Sequence, residues 1–570
     1  MASKNISGRG SAVMILGIDV GGTHTDAVLI EDFKIIRKAK VLTDAGNLMQ
    51  SLLKVTQEIL SEENPGKLSR VVLSTTISTN AIVQKKTDRV GMILACGPGI
   101  EPARLAVGGD CHFVAGYVNH RGLEAATVDD EEIRRVGEHF QAEGIDHVGV
   151  VGKFSTRNPV QEIRIRDRLQ GAASHLSLGH RMSGHLNFPR RIATTYLNAS
   201  VARLYCRFVE DVLDFVSRQG ISVPIYILKA DGGAIDIRQS LEFPVQNILS
   251  GPAASIMGVL SLSSRGEDAI VLDIGGTTTD IAVFAEGVPL LEAFGVTIEG
   301  YKTLIRGLRT KSIGLGGDSC VRVDQGRLSI GPDREGPAAA FGGPCPTPTD
   351  AMIVLGLTDI GERGAAEKAL TPLAEALNCS LTQAAQQIYD EACRIIVDQV
   401  GRVIEEINNQ PVYTIHEMLE GKQLQPKILY VVGGPARPMA PRLGQLLNCP
   451  VHIPEHPEVA NAIGAALART TAEITVLADT EQKFLSIAEE GYRAAIPPRF
   501  SREDAIRIGR EKLREKAIRM GAREEDIEIE VIESQEFNMV NQFYTTGKNI
   551  RVKLQVKPGL IAGFQAGQRL

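Results

Sequence analysis

The stretch GIDVGGTHTD, residues 17–26, returns as LDIGGTTTD, residues 272–280, and this repeat constrains the chain more than any other feature. At a constant offset Asp19 aligns with Asp273, Gly21 with Gly275, Gly22 with Gly276, Thr23 with Thr277, Thr25 with Thr279 and Asp26 with Asp280. Apolar runs flank each copy, AVMIL and AVLI around the first, AIVL and IAVF around the second, so each reads as strand, glycine turn, strand: a β-hairpin. That topology separates the repeat from two commoner phosphate-binding turns. A dinucleotide fold needs G-x-G-x-x-G entering a helix and a P-loop needs G-x-x-x-x-G-K-[ST]; neither occurs here in the required context. What remains is a glycine turn whose backbone N–H groups can hold phosphate oxygens, with the hydroxyls of Thr23, Thr25, Thr277 and Thr279 as added donors. Two such turns facing each other would grip the β- and γ-phosphates from two sides.

A chain of 570 residues predicts two to four domains with a sizeable core. Hydrophobic residues at 43% and charged residues at 23% are ordinary for a globular protein. A net charge of −6 without a Lys/Arg block speaks against nucleic acid and membrane surfaces as partners, and no apolar run is long enough to span a bilayer. Eight cysteines without a C-x-x-C pair, and no secretory pattern at the start, predict reduced thiols in a cytoplasmic protein. Residues 1–13 are polar and small and read as a frayed terminus, with Met14 an alternative start.

Segments with helical spacing, such as NASVARLYCRFVEDVLDFVSRQG, alternate with short apolar strands, such as PIYILKADGG and KILYVVGGP, which predicts an α/β fold. The boundaries expected are 14–190 for a first lobe, 191–475 for a second and 480–570 for a small α+β appendage. In the last, SREDAIRIGREKLREKAIRMGA starts with S-x-x-D and carries apolar residues at 506, 513, 517 and 520, the pattern of a solvent-facing amphipathic helix. NIRVKLQV alternates, with Ile550, Val552, Leu554 and Val556 on one face. This segment is too small for a generous core of its own and reads as an assembly or docking element.

Three further glycine stretches follow the hairpins: SIGLGGDS (312–319) with Gly316 and Gly317, VVGGPARP (431–438) with Gly433 and Gly434, and PEVANAIGAAL (457–467) entering a helix. The order hairpin, hairpin, strand with Gly-Gly, helix resembles the actin-like ATPase superfamily, built of duplicated ribonuclease H-like lobes. The resemblance implies ATP, with the hairpins on the phosphates and the strand–Gly-Gly turn against adenosine. It also implies Mg²⁺ oriented by Asp19 and Asp273 through its water shell, with Asp26 and Asp280 ranking behind them.

A narrower resemblance covers roughly residues 14 to 470. The run GIDVGGTHTD, STTISTNAIV, KFSTRNPVQE, TTYLNAS, LKADGG, SGPAAS, LDIGGTTTD, IGLGGDS, PTPTDAMIVLG is similar to the hydantoinase A / 5-oxoprolinase family, which includes acetone and acetophenone carboxylase subunits. It implies an ATP-dependent enzyme subunit that activates a cyclic amide, or a ketone or enol for carboxylation, by phosphoryl transfer, in an oligomer with a B-type subunit. The rival readings are a small-molecule kinase and a regulatory ATPase.

Other candidates carry two readings each. Asn80, in STTISTNAIV, sits in a ligand loop or a Ser/Thr-rich helix cap. Lys229 and Asp231, in KADGG, meet substrate or phosphate, or form a surface ion pair. Asp350, in PTPTD, is a catalytic carboxylate or the cap of the helix that follows. His120 and Arg121, with His112, can contact a substrate carbonyl or carboxylate, and no metal-ligand spacing joins them. The chain departs from the family pattern at Asn187 and Pro189 in HLNFPRRIATT, at Met439, and in a shortened GPAAAFGGPCPTPTD loop. These departures point away from hydantoin itself as substrate.

Overall fold

Runs of consecutive apolar residues, such as MILGIDV, belong to strands covered on both faces, and that is where the two hairpins lie. The computed structural model describes residues 14–562 and 564, apart from 45, 62, 64, 264–265, 293, 410–422 and 542; the reading of residues 1–13 lies outside the described residues. In the first sheet Met14–Val20 pairs antiparallel with His24–Glu31 and parallel with Leu68–Thr75, which pairs parallel with Ile225–Leu228. In the second, Ala269–Ile274 pairs antiparallel with Thr279–Ala285 and parallel with Ile428–Val432. The hairpin plus parallel neighbour is thus duplicated, as the repeat predicted.

Two helices of small residues lie between the sheets. Ser250–Leu262 and Ala460–Leu467 pack with Ile15, Val28 and Ile30 of the first sheet and, through Ala253 and Ala465, with Val271 and Ile428 of the second. Their approach requires glycine: a Cβ on Gly258 would lie 2.1 Å from the Ala460 carbonyl oxygen, and one on Gly464 2.0 Å from that of Ala254.

The predicted boundaries shift. Strands Ile225–Leu228 and Ala234–Asp236 complete the first sheet, so that lobe does not close at residue 190, which lies inside the helix Phe188–Arg218. Likewise the C-terminal five-stranded sheet begins with Glu473–Asp479. Ile550, Val552, Leu554 and Val556 are all buried, as their alternation predicted, and they share one core with Met14, Leu16 and Ile18 of the first sheet. Helix Arg502–Arg519 starts at a capping box between Ser501 and Asp504 and buries Ala505, Gly509, Leu513 and Ala517. The C-terminal segment is therefore part of the first lobe's core; its helix turns outward only the face opposite this stripe.

The expectation of reduced thiols throughout is also corrected. Cys320 and Cys345 form a disulfide, with Cα atoms 5.9 Å apart, while the other six cysteines are free. The hairpin Val321–Asp324 with Arg327–Ile330 turns the chain back, and the Val321 N–H donates to the Pro346 carbonyl at 2.9 Å, which brings together two cysteines that spacing alone does not connect. Among the described residues no helix is long and apolar enough to cross a membrane.

Candidate active site between the two hairpins

The two turns are built alike. The Gly21 N–H donates to the His24 carbonyl at 3.1 Å, and the Gly275 N–H to that of Thr278 at 2.9 Å. They face each other: Thr23 Oγ1 and Thr277 Oγ1 stand 3.5 Å apart. Gly22 and Gly434 border open space, since a Cβ on either would meet nothing within 4 Å. Gly433, at φ +96°, presses its backbone onto the second hairpin; a Cβ there would lie 2.2 Å from the Ile274 carbonyl oxygen and 2.8 Å from Asp273 Oδ1. Behind the second turn the Gly317 and Asp318 N–H groups donate to the Gly275 and Gly276 carbonyls at 2.9 and 2.7 Å. All the predicted glycine stretches therefore converge on one place.

Just inside the turns lie four carboxylates, in cross-strand pairs Asp19 with Asp26 and Asp273 with Asp280. Like charges directly opposite destabilise a strand pair. Burial pushes Asp19 up to about 7, with the charge of Asp26 adding to it and the hydrogen bond from Asn461 opposing. Burial also raises Asp280 to about 7, helped by Asp273, and Asp26 to about 6 against the pull of Lys40, whose Nζ is 2.9 Å away. Asp273 is raised by burial too, against hydrogen bonds from Ser255 and Asn461. Asn461 ties the lobes together: its Nδ2 lies 3.3 Å from Asp19 Oδ2 and 3.4 Å from Asp273 Oδ2.

Asp19 Oδ1 and Asp280 Oδ1 are buried without a hydrogen-bond partner. Orphaned carboxylate oxygens among like charges are costly unless a cation completes them. An all-oxygen donor set of this kind fits a hard divalent cation such as Mg²⁺, with Asp19 and Asp273 as the groups that would hold it.

Other predicted residues fall differently. Strand alternation turns Thr25 and Thr279 inward. Both are fully buried; Thr25 Oγ1 pairs with Thr43 Oγ1 at 2.9 Å and Thr279 Oγ1 donates to the Leu315 carbonyl at 2.7 Å, so neither hydroxyl is left for phosphate. Asp350 takes its capping reading. At 0% exposure its Oδ2 accepts from the Thr347 N–H and hydroxyl at 2.9 and 2.8 Å, closing the capping box of helix Pro348–Val354, and from the Ala339 N–H at 3.1 Å, while Oδ1 accepts from the Ala340 N–H at 2.7 Å, so both oxygens are spent on backbone and on Thr347. His120 is exposed, and Arg121 pairs with Glu481 at 2.5 Å while its carbonyl accepts from Gln482, so this turn docks the C-terminal sheet. Asn80 is exposed on helix Ile77–Val83 and donates to Thr76 Oγ1 at 3.1 Å.

Lys229 and Asp231 are no surface pair. Both are buried; Lys229 Nζ donates to the Thr471 carbonyl at 2.9 Å and stands 3.4 Å from Asp231 Oδ2, which also accepts from Thr471 Oγ1 at 2.8 Å. Burial pushes Asp231 up, and the charges of Lys229 and Arg306 overcome it, leaving the carboxyl below its ordinary value. With Thr194, Arg306, Glu473 and Glu489 these two line a cavity of about 60 Å³. It lies past the carboxyl end of Ile225–Leu228, the same edge of the first sheet on which Val20 leads into the first turn, where open α/β sheets bind ligands. Sequence reasoning did not single out Asn461, Ser255 or Arg306. For Asn461 the signal was present, as the lone polar residue inside the Ala-rich stretch ANAIGAAL.

Sequence profiles of the Hydantoinase/oxoprolinase N-terminal region and of Hydantoinase/oxoprolinase match residues 15–172 and 191–474. The chain belongs to the hydantoinase/oxoprolinase family. Relatives include an uncharacterized protein of Methanocaldococcus jannaschii, 22% identical over 84% of this chain and 77% of its own length. The caprolactamase subunit alpha of Pseudomonas jessenii is 24% identical over 68% of this chain, and the acetophenone carboxylase gamma subunit of Aromatoleum aromaticum 25% over 60%. The matches span 62% and 53% of those two relatives' lengths. Nucleotide-free acetone carboxylase superposes on this family member with a TM-score of 0.74 at 17% identity, over 98% of this chain and 89% of its own. The ATP-dependent caprolactamase of Pseudomonas jessenii does so at 0.71 and 21%, over 97% and 88%. The chain thus shares the fold of these two enzymes.

Proposed function

We propose that this chain is the ATP-dependent subunit of a hydantoinase/oxoprolinase-type enzyme, activating a cyclic amide, or a ketone or enol for carboxylation, by phosphoryl transfer. The observation that carries the reading is the pair of facing turns backed by Asp19 and Asp273 and bridged by Asn461. The relatives named as caprolactamase and carboxylase subunits support the reaction class and a multi-subunit assembly, in which the partner we propose is a B-type subunit.

In this reading the turn N–H groups and the Thr23 and Thr277 hydroxyls bind the β- and γ-phosphates, and Gly433–Gly434 lies against adenosine. A bound Mg²⁺ would neutralise phosphate charge. The cavity beside Lys229, Asp231 and Arg306 receives the polar atoms of the substrate. A cyclic amide is a poor electrophile until its oxygen is phosphorylated. The carbonyl oxygen bonds to the γ-phosphorus, the bridging P–O bond breaks with its electron pair to ADP, and the amide proton leaves to a base. Water then adds to the activated carbon and the C–N bond breaks, its electron pair and a proton going to nitrogen. The acyl phosphate so formed hydrolyses to carboxylate and phosphate. The chain's contribution is positioning and charge stabilisation, as is general for phosphoryl transfer.

Screening lactams, hydantoins and small ketones for stimulated phosphate release, with and without a B-type subunit, tests the proposal. One of them is expected to raise ATP turnover at least about tenfold, with free phosphate as product. A stable phosphorylated metabolite in place of phosphate would establish a kinase instead, and stimulation only by another protein would establish a regulatory ATPase.

A further inference from the structure

One buried donor near the two turns has no assigned role. Arg334 follows the hairpin Val321–Asp324 with Arg327–Ile330 and is held against the loop behind the second turn: the Cys320 N–H donates to the Asp333 carbonyl and the Gly331 N–H to that of Cys320, each at 2.9 Å. Its Nη2 lies 3.3 Å from Asp318 Oδ2. That carboxylate covers the middle of the second turn, since a Cβ on Gly276 would sit 2.5 Å from the same oxygen. The Arg334 Nε is buried and has no hydrogen-bond partner. Its charge also reaches the first turn, where His24, beside Thr23, is pushed down to about 4 by burial, then by Lys40 and by Arg334. One guanidinium therefore stands on the second turn and is felt at the first.

We propose that Arg334 is a further phosphate-binding residue, whose guanidinium donates to the terminal phosphoryl group of a nucleoside triphosphate held between the two turns, while Asp318 fixes its orientation. The inference rests on the ATP reading above and deepens it. A planar guanidinium anchored on one edge by a carboxylate keeps its remaining N–H groups aimed in fixed directions, which suits a tetrahedral oxyanion better than a lysine's single ammonium. Its partner on the nucleotide is the γ-phosphoryl group, because Asp318 seats it over Gly276, at the tip where the two turns meet. A diphosphate lacks the group that Arg334 would contact.

The test compares affinities of the full chain for the Mg²⁺ complexes of a non-hydrolysable ATP analogue and of ADP. Arg334→Ala is expected to weaken the triphosphate analogue at least about tenfold and leave ADP within about threefold, and Arg334→Lys to fall between parent and Arg334→Ala for the analogue alone. If Arg334 only buttressed the turn, both nucleotides would weaken together, and that result overturns the proposal; so does an unchanged analogue affinity. Circular dichroism and a melting curve on each variant establish that the fold is intact, and Arg334→Lys carries the comparison if the alanine variant unfolds. A parent chain that binds neither nucleotide overturns the ATP reading itself, an outcome distinct from loss of the discrimination by Arg334.

Discussion

The turn of the first hairpin is left open where the turn of the second is clamped. Around the first, the Thr43 N–H donates to the Thr23 carbonyl at 2.9 Å and Gly22 borders open space. Around the second, Gly317 and Asp318 hold both glycine carbonyls, Gly433 presses on Ile274, and the disulfide Cys320–Cys345 lies directly behind. The carboxylates differ too. Lys40 pairs with Asp26 in the first hairpin, whereas the counterpart Asp280 is pushed up to about 7 by burial and by the charge of Asp273. Duplication thus supplied one phosphate-facing turn twice, and divergence acted on what stands behind each copy. A turn whose N–H groups are fixed before the ligand arrives costs less to organise on binding. The second hairpin reads as the fixed wall and the first as the side that adapts.

The most damaging test of this contrast is at the residues the two hairpins still share. Asp19→Ala and Asp273→Ala should each lower ATP turnover by about a thousandfold or more, in the range of other preorganised phosphoryl-transfer groups, with melting temperatures near that of the parent. If one variant keeps the parent rate, the copies have divided the cation site between them unequally, and the symmetric reading of Asp19 and Asp273 fails.

Next in size is a pH effect that metal should erase. Asp19 sits at about 7 in the folded chain against 3.8 for the free side chain. A raised carboxyl pKa means that the folded state holds the proton more tightly than the unfolded state. The stability this contributes is complete below about 3.8 and is lost as pH rises through 7, at up to about 1.4 kcal/mol per pH unit. In EDTA, Asp19→Asn should therefore gain stability over the parent between pH 5 and pH 8 in urea titrations. Adding Mg²⁺ should flatten that difference. A difference independent of pH in EDTA would show that Asp19 is not held near 7.

How much of this was legible follows from the range of each signal. The two hairpins, with Asp19 and Asp273 at corresponding strand positions just inside their turns, were readable because glycine turns and strand alternation are local. Asp350 and Thr279 misled for a related reason: a carboxylate before a helix and a threonine after a glycine turn look alike in sequence whether they face a ligand or a backbone, and only the loop at Ala339–Ala340 and the carbonyl of Leu315 decide. Lys229 was seen, but its burial was not, because the groups that enclose it, Thr471, Glu473 and Glu489, come from the far end of the chain. The disulfide and the placement of Arg334 depend on a loop that folds back over 25 residues, a distance at which spacing carries no information.

The smallest expected effect sharpens the contrast between open and clamped turns most directly, because it uses one added methyl group at each. A Cβ on Gly316 would lie 2.5 Å from the Gly276 carbonyl oxygen and 2.6 Å from that of Gly275, and backbone cannot move aside as a side chain can. Gly316→Ala should destabilise the chain by roughly 1–3 kcal/mol, the ordinary cost of overpacking. Gly22→Ala meets nothing within 4 Å, so its effect should stay within about 0.5 kcal/mol of neutral, with a small gain from the stiffer unfolded chain working in its favour. Denaturant titration of the two variants side by side reads the difference. Equal destabilisation would mean that the first turn is backed as firmly as the second, and the division into a fixed wall and an adapting side would have to be given up.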